Sequence, residues 1–241
     1  MAPLRIGVLV VPPIQLLDIS PIDLFAMMCT SYFEACKLPQ PILDLAMPDS
    51  DMTIAYISKS ADPSPTTARL GLQINATLTD PKVAPGSLDI LMIPGPPPGL
   101  KPEQEVLDFV RAHVEKGVEL LTICSGVYVA AYAGVLDGKR ATGTRGIQDH
   151  LDKEFPKVHW QDARYVRDGK VWSSGGITNG MDMVGWYMRE RWPELADIVL
   201  KMADVDVRPA EYGESKAKMN AWFLFKIIKA WFFGPSKSKR E

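Results

Sequence analysis

Three short apolar runs are the feature that most narrows the fold of this 241-residue chain. They are "RIGVLVV" (5–11), "LDILMIPG" (88–95) and "LLTI" (120–123), and each is bounded by a turn that contains proline or glycine. Runs of this kind, without polar alternation, are typical of strands buried on both faces. Segments with helical spacing separate them. The chain is therefore predicted to be an α/β protein with a mostly parallel sheet sandwiched by helices.

Helices are predicted where apolar residues recur at helical spacing between start and stop signals. The first has Ser20 as its N-cap and Pro21 at its first helical position. It covers residues 20–28, and others are expected over residues 102–117, 125–133, 146–156 and 178–192. A hairpin turning at Asp168-Gly169, an exposed strand over 72–79, and a strand pair or bulged strand within 42–58 complete the prediction.

Composition and charge are those of an ordinary globular protein. The chain is 46% hydrophobic and 23% charged, and its net charge of −2 gives no reason to expect a nucleic acid partner. Cys29, Cys36 and Cys124 form no even disulfide framework, which favours a reducing, cytoplasmic setting. The N-terminal segment has one basic residue and a short apolar run, so we expect a first strand and not a signal peptide. One α/β domain is predicted over residues 1–213.

Cys124 lies at the corner between a predicted strand and a helix of small residues, in "LTICSGVYVAAYAG" (121–134). Its sulfur would lie near free backbone N–H groups and the positive end of the helix dipole, an environment that favours the nucleophilic thiolate. The alternative is a buried structural cysteine, since free cysteines often pack as small hydrophobes.

Asp18 is the second candidate catalytic residue. Aspartate in such a place is commonly a helix N-cap, but Ser20 suits that role better because Pro21 follows it. Asp18 is then free to face a site. The carboxyl ends of parallel strands share one edge of a sheet, so Asp18, the loop "PGPPPG" (94–99) and Cys124 are expected to converge there.

Backbone N–H groups near Cys124 are candidates to stabilise a developing negative charge or to bind substrate. Those of Ser125 and Gly126 are the better donors, and Gly95 is a further candidate. Pro96 has no N–H to give, which weakens its loop as an anion hole. No His, Cys or carboxylate set shows the spacing of metal ligands, "SSGGITNG" does not match a dinucleotide fingerprint, and the three histidines are expected to serve packing or the surface.

Five ordered segments make the chain resemble the ThiJ/PfpI superfamily, and within it the isonitrile hydratases and their fungal relatives. The segments are "LLDISPIDLFAMM", "LDILMIPGPPP", "LLTICSGVYVAAYAGVLDGKRAT", "RYVRDGKVWSSGGITNGMDMV" and "ADVDVRPAEY". The resemblance implies a flavodoxin-like fold with Cys124 as the nucleophile on an elbow and Asp18 as its acidic partner. Some family features differ: Gly95-Pro96 replaces a common Gly-Gly, Ser125 replaces the histidine of protease-like members, and Arg145 follows "RAT" where bacterial hydratases tend to have histidine.

This resemblance implies hydration of a small-molecule isonitrile to an N-substituted formamide without a cofactor. An apolar mouth would suit a bulky isonitrile, with Phe25, Tyr128 and Trp172 as candidates for its walls. Two alternatives stay open. One is a glyoxalase-type hydratase of α-ketoaldehydes, which usually has a glutamate near the cysteine. The other is a non-enzymatic redox sensor in which Cys124 is oxidised.

The last segment, residues 214–241, differs from the rest. It carries seven Lys/Arg and two Asp/Glu, a net charge of +5, which leaves −7 on residues 1–213. Its apolar residues spread over one wide helical face, with Lys226 and Lys229 opposite. This predicts either a helix docked on the body or on a second subunit of a homodimer, or an interfacial helix in peripheral contact with an anionic membrane.

Overall fold

The computed structural model describes residues 3–233, and its contacts divide the chain into two units whose boundary in the sequence falls between Ala210 and Glu211. In the first unit a seven-stranded sheet has the order β10-β11-β7-β6-β1-β2-β5. Every neighbouring pair is parallel except the β10–β11 hairpin. The sheet strands are β1 (Leu4–Leu9), β2 (Met52–Ser58), β5 (Ala76–Thr77), β6 (Ile90–Ile93), β7 (Glu119–Ile123), β10 (Tyr165–Asp168) and β11 (Val171–Ser174).

Four short strands lie outside this sheet, in two small two-stranded ladders. They are β3 (Ser64–Pro65), β4 (Gly71–Leu72), β8 (Arg140–Ala141) and β9 (His159–Trp160). The helices of the first unit are α1 (Leu16–Ile19), α2 (Pro21–Ala26), α3 (Thr30–Ala35), α4 (Gln40–Leu43), α5 (Gln104–Glu115), α6 (Gly126–Tyr132), α7 (Gln148–Glu154), α8 (Asn179–Arg191) and α9 (Pro193–Met202).

The sheet separates two hydrophobic cores, one on each face. One core contains Phe25, Trp172 and Met183, and the other contains Val110 and Tyr128. The four residues of β6 are fully buried between the two. Removing each such side chain from water stabilises the fold by about 1.5–3 kcal/mol. This burial on both faces explains why the central strands have continuous apolar sequences.

The direction in which successive strands are added to the sheet reverses between β1 and β6, although the two strands are parallel. After β1 the chain adds β2 on one side, and it later returns to place β6 and then β7 on the other. Ligand sites of open α/β sheets lie at the carboxyl ends of strands around such a switch point. The segments that follow β1, β6 and β7 carry Asp18, Gly95 and Cys124, so the predicted convergence has its topological basis.

The fold confirms the predicted α/β architecture and corrects several local predictions. Ser20 occupies the N-cap position of α2, as predicted, but its backbone is helical and its side chain makes no capping hydrogen bond; the hydroxyl instead donates to the Leu17 carbonyl at 2.6 Å. The strand pair or bulged strand predicted within 42–58 is a single strand, β2; the residues before it include the end of α4. The exposed strand expected over 72–79 is reduced to the end of β4 and the two residues of β5. The helices α1, α3, α4 and α9 have no counterpart in the prediction.

In the described part of the second unit, up to residue 233, there is one helix, α10 (Lys216–Phe233). Its large apolar side chains from Trp222 to Phe232 are exposed. No helix among residues 3–233 is both long enough and apolar enough to cross a membrane. Gly234-Pro235 and the basic "SKSKR", which belong to the predicted tail, lie outside the described residues.

Candidate active site

Cys124 lies on a strained turn between β7 and α6. Its φ is +56°, a left-handed conformation that is rare for a residue with a side chain. The backbone N–H of Cys124 is shared between the carbonyls of Ser174, at 3.2 Å, and Gly175, at 3.1 Å. The end of β11 therefore holds the strained residue in place. A nucleophile on such a strand-to-helix elbow projects beyond the sheet, and Cys124 is accordingly half-buried and not fully enclosed.

Two glycines allow the elbow to pack closely against the end of β6. A Cβ on Gly126 would lie 2.1 Å from the carbonyl oxygen of Ile93, and one on Gly95 would lie 2.5 Å from both Asp18 Oδ2 and Ser125 Oγ. Neither position has space for a side chain. Their role here is close approach, because neither glycine has a positive φ.

Asp18 lies in α1, is fully buried, and has one unsatisfied carboxyl oxygen. The Gly95 N–H donates to its Oδ2 at 3.0 Å. Its Oδ1 accepts no hydrogen bond within residues 3–233. Buried polar atoms are rarely left unpaired, and an oxygen of this kind is suited to hold a proton or to contact a substrate.

Burial raises the pKa of Asp18 to about 7, and the hydrogen bond from Gly95 and the neighbouring Cys124 thiol only partly oppose this rise. The pKa of the Cys124 thiol is also raised, first by burial and then by the negative charge of Asp18. The expectation that the helix terminus would favour the thiolate is thus wrong for the free protein. Desolvation outweighs the nearby N–H groups, and a proton stays within the pair at neutral pH.

Thr144 and the backbone of Ile177 are two parts of the site that the sequence did not reveal. Thr144 Oγ1 lies 3.1 Å from Cys124 Sγ, and this hydrogen bond lowers the pKa of the thiol. The N–H groups of Ser125 and Ile177 act in the same direction. A hydroxyl in "RATGTRG" was visible as a potential donor, whereas a backbone N–H has no signature in the sequence.

The backbone N–H groups predicted to stabilise a negative charge, those of Gly95, Ser125 and Gly126, are in different surroundings. The Gly95 N–H is engaged by Asp18, so in this state it is not open to a substrate. The Ser125 hydroxyl donates to the carbonyl of Pro96, which joins the two loops, while the Ser125 N–H lies at the sulfur. Gly126 starts α6 and is buried. Pro96 lacks an N–H but contributes its carbonyl oxygen.

The proposed aromatic walls of the mouth are wrong. Phe25, Tyr128 and Trp172 are at most 1% exposed and belong to the two cores, so they cannot line an open entrance. The residues next to Cys124 in the sequence are small and give no indication of an apolar wall. The large aromatic residues are packed inside the two cores instead.

The three histidines occupy packed or surface positions, as predicted. His113 is buried with its Nε2 3.1 Å from the carbonyl of Val83, and His150 lies 3.1 Å from Glu154. His159 is exposed on β9. Arg145 pairs with Asp162, with its Nε 2.6 Å from Asp162 Oδ1. Within residues 3–233 no group of three or more His, Cys, Asp or Glu side chains is arranged to hold a metal ion.

A flavodoxin-like sheet with a cysteine on a strained elbow, next to a buried carboxyl group, defines a class of α/β proteins with a cysteine site. The particular family follows from comparison with known sequences. Residues 25–190 match the DJ-1/PfpI family, and the chain belongs to it. The matched region includes Gly95, Cys124 and Thr144, whereas Asp18 precedes it.

Relatives of differing activity share this family. The chain is 31% identical to the isonitrile hydratase of Pseudomonas putida over 185 residues, which cover 74% of this chain and 68% of that enzyme. It is 30% identical to the deglycase PfpI of Pyrococcus furiosus over 160 residues, 66% of this chain and 90% of the relative.

Two solved structures show the shared fold. A ThiJ/PfpI family protein from Pseudomonas syringae superimposes with a TM-score of 0.70 at 23% identity, covering 96% of this chain and 88% of the other. Drosophila melanogaster DJ-1beta superimposes with a TM-score of 0.66 at 17% identity, over 86% of this chain and all of the other. At these identities the likeness establishes the fold alone.

Proposed function

We propose that the protein is a cysteine-dependent hydratase that converts an isonitrile to an N-substituted formamide without a cofactor. The observation that carries the proposal is the Cys124–Asp18 pair: a thiol on a strained elbow beside a buried carboxyl group whose pKa is about 7. The 31% identity to the isonitrile hydratase of Pseudomonas putida supports this choice of substrate.

The first half of the reaction adds thiol and proton across the isonitrile carbon. Asp18 as carboxylate takes the thiol proton, and the Cys124 sulfur forms a bond to the terminal carbon. Asp18 delivers its proton to that same carbon, so the product is a thioimidate, R–N=CH–S–Cys124. A carboxyl group with a pKa near neutrality suits both transfers. The unpartnered Oδ1 of Asp18 is the atom best placed to carry this proton.

The second half releases the product by addition of water. Asp18, again a carboxylate, removes a proton from water as the oxygen bonds to the thioimidate carbon, and that proton passes to the imine nitrogen. The tetrahedral adduct then collapses. Its C–S bond breaks, its hydroxyl proton goes to Asp18, and R–NH–CHO leaves. The free site again holds one proton between Asp18 and Cys124, so the cycle closes.

A glyoxalase-type hydratase of α-ketoaldehydes is the alternative enzyme, and the deglycase relatives keep it open. The carboxyl group beside the thiol belongs to an aspartate, Asp18, where that activity usually has a glutamate. The sensor hypothesis is less favoured, because oxidation begins from the thiolate and the raised pKa of Cys124 reduces its population.

Incubation with an aryl isonitrile and, separately, with methylglyoxal tests the proposal. We expect formamide from the first substrate and no comparable turnover of the second. Cys124→Ala and Cys124→Ser should abolish formamide formation with the circular dichroism spectrum unchanged. Cys36→Ser, which removes an exposed thiol elsewhere, is the matched control and should keep full activity. Turnover of methylglyoxal alone, or a fully active Cys124 variant, would overturn the proposal.

A further inference from the structure

The helix α10 carries only one sign of charge. Between Lys216 and Phe233 it contains four lysines and no aspartate or glutamate. Three more basic residues, Lys237, Lys239 and Arg240, follow in the sequence. A helix with only positive charges is complementary to a negatively charged surface, and it has no carboxylate to pair with the positive groups of a surface of mixed charge.

Three of the four lysines of α10 lie on a different side from the arc formed by its large apolar side chains, whereas Lys216, the first residue of the helix, falls within that arc. At about 100° per residue, the apolar side chains cover an arc of about 200°. Lys218, Lys226 and Lys229 share the remaining side with Trp222, and Lys226 Nζ lies 5.2 Å from the centre of the Trp222 ring. The apolar arc is formed by Phe223, Leu224, Phe225, Ile227, Ile228, Trp231 and Phe232.

The apolar arc presents an unusual amount of aromatic surface. Its side chains are between 45% and 83% exposed, with Trp231 the most exposed. Eighteen residues of helix are about 27 Å long at 1.5 Å per residue, and four lysines make the segment too polar to cross a bilayer. Aromatic residues on one face and lysines on the other are the composition of helices that lie in the plane of a membrane surface.

We propose that α10 is an interfacial helix that binds an anionic phospholipid surface, with its apolar arc among the acyl chains and its lysines at the headgroups. Charge complementarity selects this partner over a protein groove, because a groove would accept the apolar arc without requiring a helix devoid of negative charge. The proposal concerns the second unit only and does not depend on the activity of Cys124.

Flotation of the full-length protein with two kinds of vesicles tests this inference. We expect binding to vesicles of phosphatidylcholine and phosphatidylserine, weakening with added salt, and much less binding to phosphatidylcholine alone. Lys226→Gln/Lys229→Gln should weaken binding about 30-fold, since each lysine near such a surface contributes about fivefold. Lys153→Gln/Lys201→Gln, which removes the same charge from exposed positions of the first unit, is the matched control and should bind like the original chain.

Deletion of residues 219–241 supplies a second readout. We expect it to abolish vesicle binding while the elution volume in size-exclusion chromatography shifts only by the lost mass. Failure of the intact protein to bind the anionic vesicles would overturn the proposal. So would a deletion that changes the oligomeric state or destabilises the fold while vesicle binding persists, because α10 would then be a protein-docking helix.

Discussion

The backbone N–H of Gly95, after β6, donates to the Oδ2 atom of Asp18, in the helix that follows β1, at 3.0 Å. This bond fixes one carboxyl oxygen and leaves the other, Oδ1, without a partner among the described residues. It also uses an N–H group that would otherwise be available as an anion donor. The Asp18 carboxyl group is therefore positioned by the uncharged backbone of Gly95, and burial is the main cause of its raised pKa.

The Asp18–Cys124 pair predicts a bell-shaped dependence of kcat/KM on pH for isonitrile hydration. The active form holds one proton, so activity should rise as pH increases through about 7 and fall when the thiol, whose pKa is raised, ionises. Asp18→Asn should lower kcat/KM by about 10²- to 10⁴-fold and remove the acid limb, and Asp18→Glu should retain some activity. Full activity of Asp18→Asn at every pH from about 5 to 9 would show that Asp18 is only structural.

The same carboxyl group should make folding stability depend on pH. Its folded-state pKa, about 7, exceeds the ordinary value of 3.8, so its neutral form is favoured by folding. Stability is then intact below about pH 4 and is lost as pH rises through 7. Asp18→Asn should raise the free energy of unfolding at pH 8 by up to about 4 kcal/mol and change it little at pH 4. Urea denaturation at both pH values measures this, with exposed Asp197→Asn as the control; equal effects at the two pH values would contradict it.

The close contact of Gly126 with Ile93 predicts a large effect of one methyl group. A Cβ at position 126 would meet backbone at 2.1 Å, and backbone cannot rotate away as a side chain can. Gly126→Ala should cost at least about 1–3 kcal/mol of stability and displace the elbow, with loss of activity. Gly146→Ala, where an added Cβ meets nothing within 4 Å, is the matched control. Thermal unfolding compares the two, and similar melting temperatures would refute the steric argument.

Arg208 is predicted to position the loop that approaches Cys124 from β11. Its guanidinium donates to Oδ2 of the buried Asp182 at 2.6 Å. It also donates to Oγ1 of Thr178, the residue that follows Ile177, at 3.0 Å. Arg208→Ala should reduce stability by about 1–3 kcal/mol and, by loosening the Ile177 N–H, raise the pKa of the Cys124 thiol.

The pH dependence of iodoacetamide alkylation of Cys124 distinguishes positioning from stability alone. We expect its midpoint to move upward in Arg208→Ala. Arg189→Ala, which breaks an exposed ion pair between α8 and Asp197 of α9, should leave the midpoint unchanged. A destabilised Arg208 variant whose midpoint is also unchanged would limit Arg208 to a structural role.

The elbow was predictable because strand and helix have different sequence periods, and Cys124 lies where one replaces the other. Asp18 was predictable by a weaker argument whose premise failed. It is free to face the site because it lies within α1, not because Ser20 caps the next helix. The gathering of Asp18, Gly95 and Cys124 followed from one rule of parallel sheets, and that rule needs only the order of the strands.

Contacts between distant segments were beyond the sequence. Thr144 reaches the sulfur of Cys124 through a loop between β8 and α7, and Ile177 contributes an N–H that any residue would have. The direction of the thiol pKa depends on how much water burial removes, which local sequence does not specify. Similarly, the prediction of Phe25 and Trp172 as walls of a mouth is wrong because nothing in the local sequence distinguishes a buried aromatic residue from one at an entrance.

The placement of the site across β1, β6 and β7 also governs when it comes into existence. Asp18 leaves the ribosome more than a hundred residues before Cys124, and Gly95 lies between them in the chain. Until the centre of the sheet has assembled, the aspartate is an ordinary solvated acid and the cysteine an ordinary solvated thiol. The coupled pair therefore exists only where these three strands have come together, and a chain in which they are still apart holds a more ionisable cysteine than the folded protein does.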